Sequence, residues 1–306
     1  MNNQANNQAS PAPRRVQLTA LQLNSQPQPQ QNLQQIQQLL AQLPSHRPQL
    51  VVLPEACLCF GAGDKAQREL AELPLLSDNQ AAKPATDQAP LQQQLADLAR
   101  QHQIWLVAGT VPIVDDAKAA KFSAASLVFN PQGECVARYN KMHLFDVDVA
   151  DNTRSYRESA WTQAGSEVVT VATEFGVLGL AVCYDVRFPE LFRALREQGA
   201  DILLLPSAFT QVTGAAHWHV LTRARAIEQQ CFLVAAAQAG VHANGRETFG
   251  HALVCDGWGR ILAESDATSV SYASALVDIN ELTKIRRDIP VATHFSETKK
   301  GLHAVT

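Results

Sequence analysis

No apolar run in this 306-residue chain approaches the roughly 20 residues that a membrane-spanning helix needs. Positive charge is scarce as well. Its 25 Lys and Arg stand against 29 Asp and Glu, and a net charge of -4 gives no support for nucleic-acid binding. The opening stretch, Met1 to Arg15, is rich in Asn, Gln, Ala and Pro and lacks the apolar centre of a signal peptide. The cytoplasm is therefore the expected location. Those 15 residues are too polar to offset the entropy of ordering, so they are expected to form a disordered tail before a single domain over 16–306. Phosphate-loop and dinucleotide fingerprints are missing, notably from the glycine-bearing stretch 240–250. No segment repeats, and no linker divides the chain after residue 15.

Cysteine is present six times, as Cys57, Cys59, Cys135, Cys183, Cys231 and Cys255. In a long unexported chain these are not expected to form disulfides. Cys57 and Cys59 lack a second Cys or His pair at zinc-finger spacing, so a structural zinc site is not expected either. A reactive thiol is the remaining use.

What the chain does have is alternation of short apolar strands and amphipathic helices. VQLTALQL from Val16 alternates apolar and polar residues, and LVVLP at 50–54 has the texture of a strand buried on both faces. Leu33, Ile36, Leu39, Leu40 and Leu43 predict a helix over 30–43, ended by Pro44. A helix over 91–102 leads to the strand IWLVAGTV at 104–111, and SLVFN with CVARYN reads as a hairpin. Residues 61–90 are expected to be surface loops with a little helix. Strand VLGLAVC (177–183), helix 189–199, strand DILLLPS, helix 215–229 and strand CFLVAAAQ follow, with further strands at HALVCD and ASALVDI. This is a mixed α/β domain with helices covering strands.

In such domains reactive side chains gather at strand ends. Glu55 follows LVVLP directly; a half-desolvated carboxylate there can act as a base, or it can simply cap the next segment. Cys183 ends one strand just before a helix, where backbone N–H groups activate a thiol and hold an oxyanion, but a buried structural cysteine fits the same place. Lys141, in RYNKMHLFD, also follows a strand, where a solvated charge is the plainer reading. His217 and His219 lie on the helix expected over 215–229. Residues i and i+2 point apart there, so they are not expected to bind a metal together. A Cys–His protease pairing stays open with nine histidines, although no thiol-protease signature surrounds Cys183.

Taken together, LPEA around Glu55, YNKMHLFD around Lys141 and GLAVCYDVRFPELFRAL around Cys183 resemble the nitrilase, or carbon–nitrogen hydrolase, superfamily. PSAFTQVTGAAHWHVLTRARAIEQQCFLVAAAQ at 206–238, GRETFGHALVCDGWGRILAE at 245–264 and the ending IRRDIPV extend the likeness over roughly 16–295. The resemblance implies a four-layer α-β-β-α sandwich, paired in a homodimer or higher oligomer, that needs no metal or organic cofactor. It implies Glu55 as general base, Lys141 as oxyanion stabiliser, Cys183 as nucleophile and Glu158 as a second glutamate supporting the lysine. The N–H of Tyr184 would be the second oxyanion donor. The runs CYDVRFPE and HWHVLTRARAIE are most similar to the Nit branch, whose members act on ω-amides of 2-oxo acids or on deaminated glutathione. The latter is the leading small-molecule substrate, 2-oxoglutaramate the next, and a non-catalytic scaffold the rival class. Both substrates carry a carboxylate, so a pocket cation is expected. Arg187 is the candidate, unless it holds the helix start, and Phe209 and Thr210 are expected to line the pocket.

Overall fold

A computed structural model describes residues 13–76 and 89–302. Strand β1 (Arg15–Leu23), helix α1 (Pro29–Leu40) and strand β2 (Gln49–Val52) open the chain, followed by helices α2 (Asp64–Glu69) and α3 (Pro90–His102). Strands β3 (Trp105–Val107), β4 (Val111–Ile113), β5 (Ser123–Phe129), β6 (Cys135–Asn140), β7 (Asp146–Asp148) and β8 (Ser155–Arg157) come next. Then come β9 (Thr170–Thr173), β10 (Gly176–Leu180), helix α4 (Pro189–Glu197), β11 (Ile202–Leu204) and helix α5 (Gln211–Gln229). The last third holds β12 (Phe232–Ala235), β13 (Ala237–Val241), β14 (Glu247–Phe249), β15 (Leu253–Cys255), β16 (Ile261–Glu264) and β17 (Ser271–Asp278). Helices α6 (Glu281–Asp288) and α7 (Val291–Leu302) close the chain.

The strands form two large sheets. One runs β14-β13-β1-β2-β3-β5-β4, with β17 paired to β1 and β6 to β5; the other runs β16-β15-β12-β11-β10-β9. Period-two alternation on the buried strands explains how they stack. Val16, Leu18 and Ala20 of β1, Leu50 and Val52 of β2, and Val107 of β3 face the second sheet, meeting Leu178, Leu180, Ile202, Leu204 and Val234. The intervening residues Leu21, Leu23, Val51 and Leu106 face the other way, onto Leu33, Ile36, Leu95 and Ala99 of α1 and α3. On the second sheet α4 lies against β10 and α5 against β12. The order of layers is helix, sheet, sheet, helix: the α-β-β-α sandwich.

Several boundaries differ from the sequence reading, each for a visible reason. The stretch 104–111 is two strands, because Gly109 turns the chain with φ +32 and packs against Pro54. The run 231–238 also splits at Ala236: β12 belongs to the second sheet and β13 to the first, so one apolar segment stitches the two together. The ordered chain begins before residue 16, since the Arg14 N–H donates to Asp278 and β1 starts at Arg15. Residues 1–12 of the expected tail, and 77–88 of the expected loop, lie outside the described residues.

Gly109 fixes the height of Glu55. A methyl group there would fall inside the van der Waals radius of the Pro54 carbonyl oxygen, immediately before Glu55. Gly109→Ala is expected to destabilise the fold by about 3 kcal/mol or more, because backbone rather than a flexible side chain must give way. Urea unfolding checks this, and a loss under 1 kcal/mol would refute it.

Candidate active site

Three strand ends meet at one cavity of about 240 Å³. Glu55 comes from the segment after β2, Lys141 from the residue after β6, and Cys183 from the turn after β10. All three line the cavity, with Glu158, Tyr184, Arg187 and Phe209. Lys141 is 1% exposed, and its ammonium sits between two carboxylates. Its Nζ lies 2.7 Å from Glu55 Oε1, and 3.0 and 2.8 Å from the two oxygens of Glu158. Glu158 is held in turn by the Phe145 N–H at 2.6 Å. Burial alone would lower the Lys141 pKa, but Glu158 and Glu55 outweigh it and hold the ammonium well above its ordinary value. Burial raises the Glu158 carboxyl, with Lys141 acting against it.

Cys183 opens a 3-10 turn with φ +47, a left-handed conformation that costs a non-glycine residue about 1–3 kcal/mol. The turn is pinned from below by Asp185, which is fully buried. One carboxylate oxygen accepts from the Val182 N–H at 2.8 Å and the Tyr139 hydroxyl at 2.7 Å. The other accepts from the His143 N–H at 3.0 Å and meets its Nδ1 at 2.6 Å. Asp185 thus ties the nucleophile turn to the chain just past Lys141, a role no sequence spacing announces. Arg225 adds a bond from Nε to the Val186 carbonyl at 2.9 Å. Burial pushes the Cys183 thiol well above its usual pKa and the Glu55 carboxylate pushes it further; Lys141 and a bond from the Ala208 backbone act against them. The thiol is accordingly protonated at neutral pH and needs a base at the moment it attacks.

Around these groups the cavity is aromatic and cationic. The Tyr184 ring meets Phe145 and Phe188 edge-on, with centroids 5.2 and 5.5 Å apart. Arg187 lies 5.7 Å from the Tyr184 ring and 5.5 Å from that of Phe209, and both its terminal nitrogens stand 3.4 Å from His217 Nδ1. It faces the cavity rather than the helix start. Thr210 differs from expectation. It is buried, and its hydroxyl caps α5 by accepting from the Thr213 N–H at 3.3 Å, so Thr213 lines the cavity in its place.

Arg246 is a charged lining residue that sequence reasoning missed. Its guanidinium lies 4.9 Å from the Phe60 ring and 5.0 Å from that of Tyr156, and one nitrogen donates to the Ala208 carbonyl at 2.9 Å. Its buried Nε has no hydrogen-bond partner among the described residues. The available signal was an arginine at the start of the 245–264 segment that resembled the family. Behind it, His242 supports the wall. It is 3% exposed, meets Phe60 edge-on at 4.4 Å and bonds Thr248 Oγ1 through Nε2 at 2.7 Å.

A thiol, a carboxylate and a buried ammonium thus share one cavity on a four-layer sandwich. The comparisons agree with that fold. The family model described as Carbon-nitrogen hydrolase matches residues 17–287. A deaminated glutathione amidase of Yersinia enterocolitica is 42% identical over 274 residues, covering 90% of this chain and 91% of that protein. Among solved structures, the Caenorhabditis elegans NitFhit protein superposes with a TM-score of 0.80 at 37% identity. The match covers 92% of this chain and 65% of that longer one. Saccharomyces cerevisiae Nit3, a member of branch 10 of the nitrilase superfamily, superposes at 0.77 with 30% identity, covering 90% and 95%. This chain belongs to the carbon–nitrogen hydrolase (nitrilase) superfamily. It is an enzyme that hydrolyses amides. Among the described residues no helix is long and apolar enough to cross a membrane.

Burial lowers the His242 pKa from 6.5 to about 4, with Arg246 adding to the effect and the Ser25 carbonyl opposing it. Between those values the unfolded imidazole binds a proton that the folded one refuses. Stability conferred by the neutral ring is therefore complete above pH 6.5 and is lost as pH falls toward 4. The loss amounts to about 3 kcal/mol. His242→Gln should show a correspondingly flatter stability profile across that window in denaturant titrations, and a profile parallel to wild type would contradict the assignment.

Proposed function

We propose that this enzyme is a cysteine amidase acting through a Glu55–Lys141–Cys183 triad on a small carboxylate-bearing amide, with deaminated glutathione as the first candidate. The observation that carries the reading is the Lys141 ammonium held between Glu55 and Glu158 beside the Cys183 thiol. A protonated thiol next to a carboxylate calls for general-base activation. Glu55 takes the Cys183 proton, and the sulfur attacks the amide carbonyl. Lys141 Nζ and the Tyr184 N–H hold the oxygen as it becomes negative. As the tetrahedral intermediate collapses, the amine leaves with the proton held by Glu55, and the acyl group stays on sulfur as a thioester. Glu55 then deprotonates water, which attacks the thioester. The acid is released and the thiol regains its proton. Glu158 keeps the lysine charged and aimed throughout, and the site needs no cofactor.

Arg187 and Arg246 in the cavity wall support a carboxylate-bearing substrate, since arginine binds carboxylates with paired bonds. The name of the Yersinia relative supports the particular choice. The test is ammonia or amine release from deaminated glutathione, 2-oxoglutaramate, glutamine and a simple nitrile. Deaminated glutathione should be turned over best. Cys183→Ala should abolish turnover and Glu55→Gln should stall it in a folded protein. Arg246→Gln should raise KM for the carboxylate-bearing substrate about tenfold, the equivalent of about 1.4 kcal/mol. Preference for 2-oxoglutaramate would move the substrate and keep the chemistry; full activity of Cys183→Ala would sink the triad.

Self-association belongs to the same proposal. Val220 and Ile227, one face of α5 at i and i+7, are 67% and 48% exposed, and Trp258 beside them is 57% exposed. Light scattering should return at least twice the 33.3 kDa chain mass; a monomer at micromolar concentration would refute it.

A further inference from the structure

We propose that His219, His251 and Glu264 form a binding site for one divalent transition-metal ion of the zinc type, apart from the catalytic cavity. His219 Nε2 lies 2.6 Å from Glu264 Oε1, and His251 Nδ1 lies 2.8 Å from the same oxygen. The three ligand atoms fall within 4.8 Å of one another. They arrive from three separate elements: His219 from α5, His251 from the loop between β14 and β15, and Glu264 from the end of β16. The pair that the sequence suggested, His217 with His219, does diverge on the helix, since His217 turns to Arg187. His219 finds its partners across the fold instead.

The aim of each side chain is fixed. His251 has φ +58, an unusual left-handed backbone for this residue type. That conformation is clamped by a bond from Trp218 Nε1 to its carbonyl at 2.8 Å and from its N–H to the Asp266 carbonyl at 3.3 Å. The Phe249 ring packs against both imidazoles, with centroids 4.5 Å from His251 and 5.8 Å from His219. The three side chains are 34%, 25% and 30% exposed in the order His219, His251, Glu264, open enough to admit an ion and a completing water. Two imidazoles and one carboxylate suit zinc, nickel or copper and offer little to magnesium or calcium. Metal–ligand distances of about 2.0–2.2 Å set donors about 3.3 Å apart, so the ion spreads the present contacts by about half an ångström. Loaded, the site would clasp α5 to the edge of the second sheet.

The experiment uses the full-length, tag-free chain carrying Cys183→Ser, so that the catalytic thiol takes no metal. Equilibrium dialysis against zinc, read by elemental analysis, should retain about one zinc per chain, and saturating zinc should raise Tm by about 5 °C. Cobalt should give the visible absorption of a low-symmetry nitrogen–oxygen site, and excess magnesium should not compete. His251→Ala should lose the retained zinc and the Tm rise. Glu264→Gln, which keeps the side-chain shape, should weaken binding at least tenfold while its metal-free circular dichroism stays that of the parent. No zinc retained by the parent overturns the proposal. So does undiminished zinc retention in both variants.

Discussion

A lysine ammonium that is 1% exposed cannot remain charged inside a protein without anionic partners, and much of this molecule is arranged around supplying them to Lys141. Burying a cation costs several kcal/mol before any pairing is counted. Two glutamates within 3.0 Å reverse the balance and hold the ammonium well above its ordinary pKa. The same burial, with Glu55 beside it, pushes the Cys183 thiol above its usual pKa. The protonation states of the cavity therefore follow from one packing problem. The charges come from three distant stretches of chain, so the fold must first bring residues 55, 141 and 158 together.

The two stacked sheets solve that problem by aligning strand ends. β2, β6 and β10 each stop at the same rim, and each delivers one side chain past its last ladder bond. What sets the depth of delivery is backbone detail. Gly109 lets the chain after β3 close on Pro54, and Asp185 binds the turn after β10 to the segment after β6. The strain at Cys183, φ +47, is sustained because Asp185 and the Pro206 carbonyl hold the turn from either side. The Cys183 thiol is thus aimed by groups behind it rather than by its own backbone preference.

Much of this was legible in the sequence, and the pattern of what was not is physical. Glu55 and Cys183 close apolar runs and Lys141 follows a strand, so local texture made them candidates and the family motifs tied them together. Glu158 was found only through the resemblance, because its partner is set by a tertiary contact over an irregular segment. The split of 231–238 between two sheets could not be read from an unbroken apolar run, since no turn residue separates β12 from β13 and only their strand neighbours tell them apart. Thr210 illustrates a different failure. A threonine before a helix is a cap as readily as a pocket residue, and the N–H of Thr213 claimed its hydroxyl.

Arg246 and the histidine pair escaped for a common reason, which is that a side chain's chemistry depends on what faces it. Arg246 is one arginine in a hairpin until Phe60, Tyr156 and the Ala208 carbonyl fix three of its sides and leave the remainder to the cavity. Arg187, against Tyr184 and Phe209, is likewise bedded on aromatic rings. Aromatic beds cost such a cation little rotamer freedom on binding, so both stand pre-aimed at an incoming anion. Asp64, in the same wall, is the carboxylate that feels Arg246. Lys141 stays with Glu55 and Glu158. The cavity thus keeps two kinds of charge apart: the arginines stand on aromatic walls, and Lys141 with the Cys183 thiol lies at the buried strand ends.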